Sequence, residues 1–213
     1  MNKITNIEVQ KRNKNRVNVY IDEEFSFACE AELIYRYGLK KDTAVEIDKL
    51  KSIIEEEDFL KCKNSALRVI ERSHKTEKEI KDKLFEKGFP EPLIKRTLEF
   101  LREYNFVDDK MYVEMYLKEK INTQGKNKIY YNLLRKGVSE ELLKDKINNI
   151  NTEAENDGAY TLCKKKYESL AKREEDKFKI SQKLFRFMAS KGYEFDMINR
   201  LIKEVMNTDQ FME

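Results

Sequence analysis

Residues able to do covalent chemistry are few in this chain and poorly spaced for it. His74 is the single histidine, which excludes any site that needs two imidazoles. Cys29, Cys62 and Cys163 are odd in number and widely scattered, with no CxxC spacing. That pattern suits reduced thiols and argues against a disulfide frame or a zinc site. Asp108-Asp109 could hold a divalent cation, but the first stands where a helix N-cap is expected. There is no P-loop, no Gly-rich phosphate cradle and no Ser–His–Asp set. The expectation is a protein that is not an enzyme and carries no cofactor or metal.

The cations are more informative. Against a background of 40 acids, two windows contain none. Lys120–Ser139 holds Lys120, Lys126, Lys128, Arg135 and Lys136, and Lys177–Tyr193 holds Lys177, Lys179, Lys183, Arg186 and Lys191. Cations gathered this way suit phosphates or an acidic protein surface, while a solvated helix face is the plainer use. The net charge of +3 hides the asymmetry: residues 1–60 have 10 Lys/Arg against 13 Asp/Glu, 61–150 have 21 against 15, and 151–213 have 12 against 12. Lys179, Lys183 and Arg186 fall at intervals of four and three, with Ile180, Leu184 and Phe187 on the other face. Lys128 and Arg135 share a face seven apart, beside Lys126. Arg68, Arg72 and Lys75 flank another helix with only Glu71 opposing. These nine are the candidate binding residues. Lys87, Lys136 and Lys191 are set aside, because a cation one residue before a helix-ending glycine answers the helix dipole. Tyr130 and Tyr131 lie inside the first window, where their rings suit base stacking as well as a core or rim position.

The elements that position these cations are set by a repeat. Lys-Gly occurs at Lys87-Gly88, Lys136-Gly137 and Lys191-Gly192, and the surroundings align. Eight residues before each glycine stand Ile80, Ile129 and Leu184; four before, Leu84, Leu133 and Met188. After it, at five, six, ten and thirteen, come Leu93, Leu142, Met197; Ile94, Leu143, Ile198; Leu98, Ile147, Ile202; and Leu101, Ile150, Val205. The spacing of four before and of four and three after is the apolar stripe of two helices, with glycine turning the chain between them. Thr76 with Glu79 reads as a capping box, Ser139 and Asp108 as N-caps, and Val138 with Leu143 as a hydrophobic staple. A further helix precedes each pair, over Leu60–Arg72, Lys110–Ile121 and Ala159–Leu170.

The first sixty residues follow a period of two instead. Ile7 and Val9, then Val17, Val19 and Ile21, then Phe25 and Phe27 predict a three-stranded antiparallel meander. Short helices over Ala31–Arg36, ended by Gly38, and over about Ala44–Glu56 follow, with an acidic patch at Glu55–Asp58. With six glycines, two prolines and 39% charged residues in 213, the fold class is mainly α. Three tandem three-helix repeats (59–107, 108–151 and 152–213) form an elongated array behind an N-terminal β-meander with helices (1–58). No run exceeds three apolar residues, so neither a membrane helix nor a signal-peptide core is expected, and a cytoplasmic monomer is the default.

These residues together resemble the RecX family of bacterial recombination regulators. The matching motifs are Arg72-Ser73-His74-Lys75-Thr76-Glu77-Lys78-Glu79-Ile80 with Lys83-Leu84 and Lys87-Gly88-Phe89. They continue with Phe106-Val107-Asp108-Asp109 and Tyr112, then Gly125-Lys126-Asn127-Lys128-Ile129 and Leu133-Leu134-Arg135-Lys136-Gly137-Val138. The resemblance is clearest from Leu67 to Ile150. Lys75 and Lys128 stand where arginine is usual, and Lys126 where proline is common; the lysines keep charge but lose the bidentate fork. What the resemblance implies is a non-enzymatic modulator of the RecA recombinase. Such a protein binds the groove of the RecA–DNA filament and limits its extension, ATP hydrolysis and strand exchange. Weak, sequence-independent contact with single- or double-stranded DNA goes with that reading, and no membrane partner does. A sequence-specific regulator of helix-turn-helix type is the alternative expectation, because each repeat holds a helix–glycine turn–helix.

Overall fold

In the computed structural model, residues 2–148 and 152–208 are described; Ile150, an expected core position of the second repeat, lies outside them. Among the described residues there are four strands and ten helices. β1 (Asn2–Val9), β2 (Arg16–Ile21), β3 (Glu24–Glu30) and β4 (Ala44–Val45) build one sheet, with α1 (Ala31–Arg36) between the last two. Then come α2 (Ile47–Ile70), α3 (Glu77–Glu86), α4 (Glu91–Glu103), α5 (Asp109–Lys120), α6 (Lys126–Arg135), α7 (Glu140–Asn148), α8 (Thr152–Ala171), α9 (Lys177–Ser190) and α10 (Phe195–Thr208). The chain divides into two compact units. One holds the residues up to Ser73 with Ile80–Phe106; the other holds His74–Glu79 and the described residues from Val107 onward.

In the first unit, the expected meander gains a fourth strand, giving the order β3-β2-β1-β4, every pair antiparallel. Ile4, Val17, Val19, Phe27 and Cys29 fill one face. Phe25 does not join them. A register shift after Val19 pairs Phe27 with Val19 but Phe25 with Tyr20, so Phe25 turns outward and packs edge-on against that tyrosine at 6.0 Å.

The two helices expected over Ala44–Glu56 and Leu60–Arg72 are a correction. Ala44–Val45 is strand β4, and the rest is the single 24-residue helix α2, so the boundary at 58/59 falls inside a continuous helix. The acidic patch does not interrupt it: Glu55 is exposed, and Glu56, Glu57 and Asp58 each meet a cation. Glu57 is buried and meets Arg16 Nη1 at 2.6 Å while accepting the Glu30 amide at 2.8 Å. Glu56 takes Arg36 and Arg96, and Asp58 takes Lys61. A buried carboxylate held this way ties α2 to the ends of β2 and β3, and removing one partner leaves an uncompensated charge.

The repeat is present in three dimensions. Ile80, Ile129 and Leu184 are fully buried, as are Leu84, Leu133 and Met188. Ile94, Leu143 and Ile198 are buried as well, whereas Leu93, Leu142 and Met197 are half-buried in all three copies. The glycines turn the chain identically, at φ +82, +88 and +86 for Gly88, Gly137 and Gly192. Each glycine amide donates to the carbonyl three residues back (Phe85, Leu134, Ala189), at 2.9 Å every time. The next amide (Phe89, Val138, Tyr193) donates to Leu84, Leu133 or Met188, at 3.3, 3.2 and 3.5 Å. That double closure is the Schellman motif, and its left-handed residue is where glycine is cheapest. The expected staple residues Val138 and Leu143 lie in one buried cluster.

Candidate functional site

The nine candidate cations are distributed over several elements, and the structure gives them unequal surroundings. In the first unit, Arg68 lies in the last turn of α2 and Arg72 just beyond it; both are exposed. In the second unit, Lys75 precedes α3, Lys126, Lys128 and Arg135 lie on α6, and Lys179, Lys183 and Arg186 lie on α9. On α9 two of the three are neutralised: Lys179 sits 3.7 Å from Asp176 and Lys183 2.9 Å from Glu174. Lysines that close hold the Glu174 carboxyl below the usual carboxylate range. Arg186 is exposed, with no ion-pair partner among the described residues. The surface expected from α9 is thus less positive than its sequence window.

On α6 the cations have structural duties that sequence reading did not anticipate. Gly125, the N-cap of α6, donates its amide to Lys191 O at 3.0 Å, so the start of α6 rests on the α9–α10 turn. The approach is close enough that a Cβ on Gly125 would lie 2.4 Å from Gly192 O. Lys128 Nζ donates to Ser190 O at 2.8 Å, which places a cation at the carbonyl end of α9. Glu155, in the first turn of α8, is buried; one of its oxygens accepts the Lys126 amide at 3.0 Å and the other meets Lys126 Nζ at 3.3 Å. A carboxylate at the open amide end of α6 does there what the side-chain-free Gly125 cannot. Burial and the nearby Glu155 push the Tyr193 hydroxyl up to about 12 in the same place.

The same joint recurs one repeat earlier. Thr76 and Glu79 form the expected capping box, at 3.2 and 3.3 Å, and the buried Thr76 hydroxyl also donates to Lys136 O. The Glu77 amide donates to Asp109 at 3.0 Å, and Glu79 pairs with Lys136. Thr76 and Gly125 stand at the same distance before their glycines, as do Glu77 and Lys126, and Glu79 and Lys128. Alignment on Lys-Gly could therefore have located the joint, but nothing in sequence shows which carboxylate meets it. Burial raises Asp109, and Asp108 and Glu79 add to the rise against the Glu77 amide. Asp108 caps α5 as expected, accepting from Lys110 and Met111 at 2.7 and 3.1 Å. Both acids of the Asp108-Asp109 pair are thus committed to backbone amides. His74 is exposed in the connection before α3. Cys29, Cys62 and Cys163 are free and buried, and burial pushes the Cys29 and Cys163 thiols up to about 11.

Along the chain, a small N-terminal sheet is followed by three three-helix modules, which defines a protein built from helical repeats. The chain belongs to the RecX family. Its residues match the regulatory protein RecX N-terminal domain at 2–46 and the first, second and third RecX three-helix domains at 62–101, 108–145 and 153–202. The regulatory protein RecX of Clostridium perfringens (strain 13 / Type A) is 58% identical over 213 residues, all of both chains. That of Clostridioides difficile (strain 630) is 36% identical over 210 residues, 98% of each. A crystal structure of regulatory protein RecX superposes with TM-score 0.73 at 26% identity, covering 96% of this chain and 100% of that one. RecX from Lactobacillus salivarius superposes with TM-score 0.61 at 25% identity, covering 70% and 97%. No helix among the described residues is long and apolar enough to cross a membrane.

Proposed function

We propose that this protein regulates the RecA recombinase by binding the RecA–DNA filament, mainly restraining ATP hydrolysis, filament extension and strand exchange. The carrying observation is that all four RecX domains match in order along the chain, with full-length relatives named as regulatory proteins. Surface cations on α2, α6 and α9 support contact with DNA phosphates or an acidic filament face, with salt-dependent and sequence-blind affinity. The protein acts in the cytoplasm as a monomer and without catalysis of its own. RecA's DNA-dependent ATPase, measured with substoichiometric protein, is the test. A reduced rate is expected, and an unchanged rate rejects the proposal.

The helix-turn-helix alternative draws less support. A reading helix needs its first turn against phosphates and base edges. The helices after the glycines begin instead with Glu91 in α4, Glu140 and Glu141 in α7, and Asp196 in α10.

A further inference from the structure

Set side by side, the cations of α6 and α9 differ in what holds them. On α9, Lys179 and Lys183 face carboxylates. On α6, Lys128 is held by the carbonyl of Ser190 and Arg135 by the amide oxygen of Asn132. A neutral oxygen fixes a cation's position without pairing it with a full negative charge, so α6 keeps two oriented positive groups that have no carboxylate partner among the described residues. Between them lies Tyr131, 64% exposed. Lys128, Tyr131 and Arg135 are spaced by three and four, on one face of a helix that contains no acid. The two cations are separated by about 10 Å along the axis. The Tyr131 ring is not loose: it sits edge-on to Tyr130 at 5.5 Å, and Tyr130 packs on the buried cluster of Val113, Ile129 and Leu133. Alongside, Asn132 joins Tyr116 Oη and Gln124 Oε1 at 3.2 Å each, bracing the helix against the end of α5.

An exposed, braced aromatic ring between cations one turn away on either side is the arrangement that takes a base on the ring and phosphates on its flanks. We infer that the Lys128–Tyr131–Arg135 face of α6 is a seat for single-stranded nucleic acid, with one base stacked on Tyr131. This rests on the reading of the chain as a filament-binding regulator and sharpens it by naming the strip and the strand form. Duplex bases are stacked on each other and offer no free face, so the ring selects the single strand while the cations do not.

The test is fluorescence anisotropy of the full chain with a labelled oligodeoxythymidine and with a duplex of the same length. Tyr131→Leu weakens single-strand binding about 5- to 150-fold, the range for loss of one stacked base. It leaves duplex binding unchanged, and Tyr131→Phe, which keeps the ring, retains the affinity. Arg135→Gln flattens the salt dependence of single-strand binding by about 0.7 in log–log slope. Far-ultraviolet circular dichroism confirms that the variants fold, since both side chains are on the surface. Unchanged single-strand affinity in Tyr131→Leu overturns the inference, and so does an equal loss for the duplex. If that variant keeps oligonucleotide binding but loses inhibition of the RecA ATPase, the strip contacts protein and the single-strand assignment falls. If the parent chain leaves the ATPase unchanged yet binds oligonucleotide through Tyr131, the filament reading falls and the strip stands.

Discussion

Three glycines separate two costs that are usually entangled. Gly88 has φ +82, and a Cβ there meets nothing within 4 Å, so Gly88→Ala incurs only the left-handed backbone penalty. That is about 1–2 kcal/mol. Gly125 has φ −75, which any residue adopts, but its Cβ would lie 2.4 Å from Gly192 O and 2.6 Å from the Tyr193 amide nitrogen. Backbone cannot rotate away as a flexible side chain can, so Gly125→Ala costs the overpacking penalty, about 1–3 kcal/mol, with alanine also the poorer N-cap. Gly192 combines both, at φ +86 with a Cβ 2.5 Å from the Lys128 backbone nitrogen. Gly192→Ala is therefore expected to cost about 2–5 kcal/mol. Because Gly125 and Gly192 touch, the double variant costs less than the sum: once the joint has opened, the second clash is already relieved. Urea unfolding followed by far-ultraviolet circular dichroism reads all four proteins on one scale. Equal losses for Gly88→Ala and Gly192→Ala, or strict additivity of the Gly125 and Gly192 changes, would refute the view that α6 is seated on the α9–α10 turn.

Two further outcomes follow from the carboxylates and thiols. Burial raises Glu79, but Lys136 and the Thr76 amide outweigh it and hold the group below its ordinary range. A depressed carboxylate contributes stability that is full above its unfolded value of about 4.3 and lost as pH falls through the folded value. Glu79→Gln should accordingly flatten the acid side of the urea-midpoint profile and lower the midpoint at neutral pH; an unchanged acid limb would contradict the pairing. Titration with a thiol-specific chromophore should find no fast-reacting cysteine in the native protein and three after denaturation. A rapid native thiol would contradict the burial of Cys29, Cys62 and Cys163.

What was legible in sequence was whatever recurs or has a fixed local geometry. The three Lys-Gly turns, the buried positions eight and four before them, the Thr76–Glu79 box and the Asp108 cap depend on neighbours a few residues away. Long-range partners decided the rest. Glu57 looks like a surface acid until Arg16 of β2 is brought against it, and that pairing lets α2 run through what reads as a break. Phe25 keeps its period of two on paper, but the bulge between β2 and β3 turns it to the outer face. At the candidate site, Lys126 and Lys128 read as free cations because Glu155 and Ser190, their partners, are 29 and 62 residues away. Tyr131 and Arg135 stand in the acid-free sequence window, but their exposure and neutral neighbours, which separate them from the paired lysines of α9, are set by the fold.

The joints between repeats have a direction, and synthesis has one too. The second helix of one repeat is completed by groups from the next: Asp109 and the Lys136 carbonyl for α3, Glu155 and the Lys191 carbonyl for α6. Asp176 closes α9 from within its own repeat, accepting from Phe178 and Lys179. A chain leaving the ribosome therefore presents α6 with its amide end unfinished until α8, α9 and Lys191 after it have emerged. The amide end of α9 is closed without a group from another repeat. Loss of the final fifty residues would leave an exposed seam at Gly125, whereas a cut before His74 removes none of the groups that finish α3 and α6.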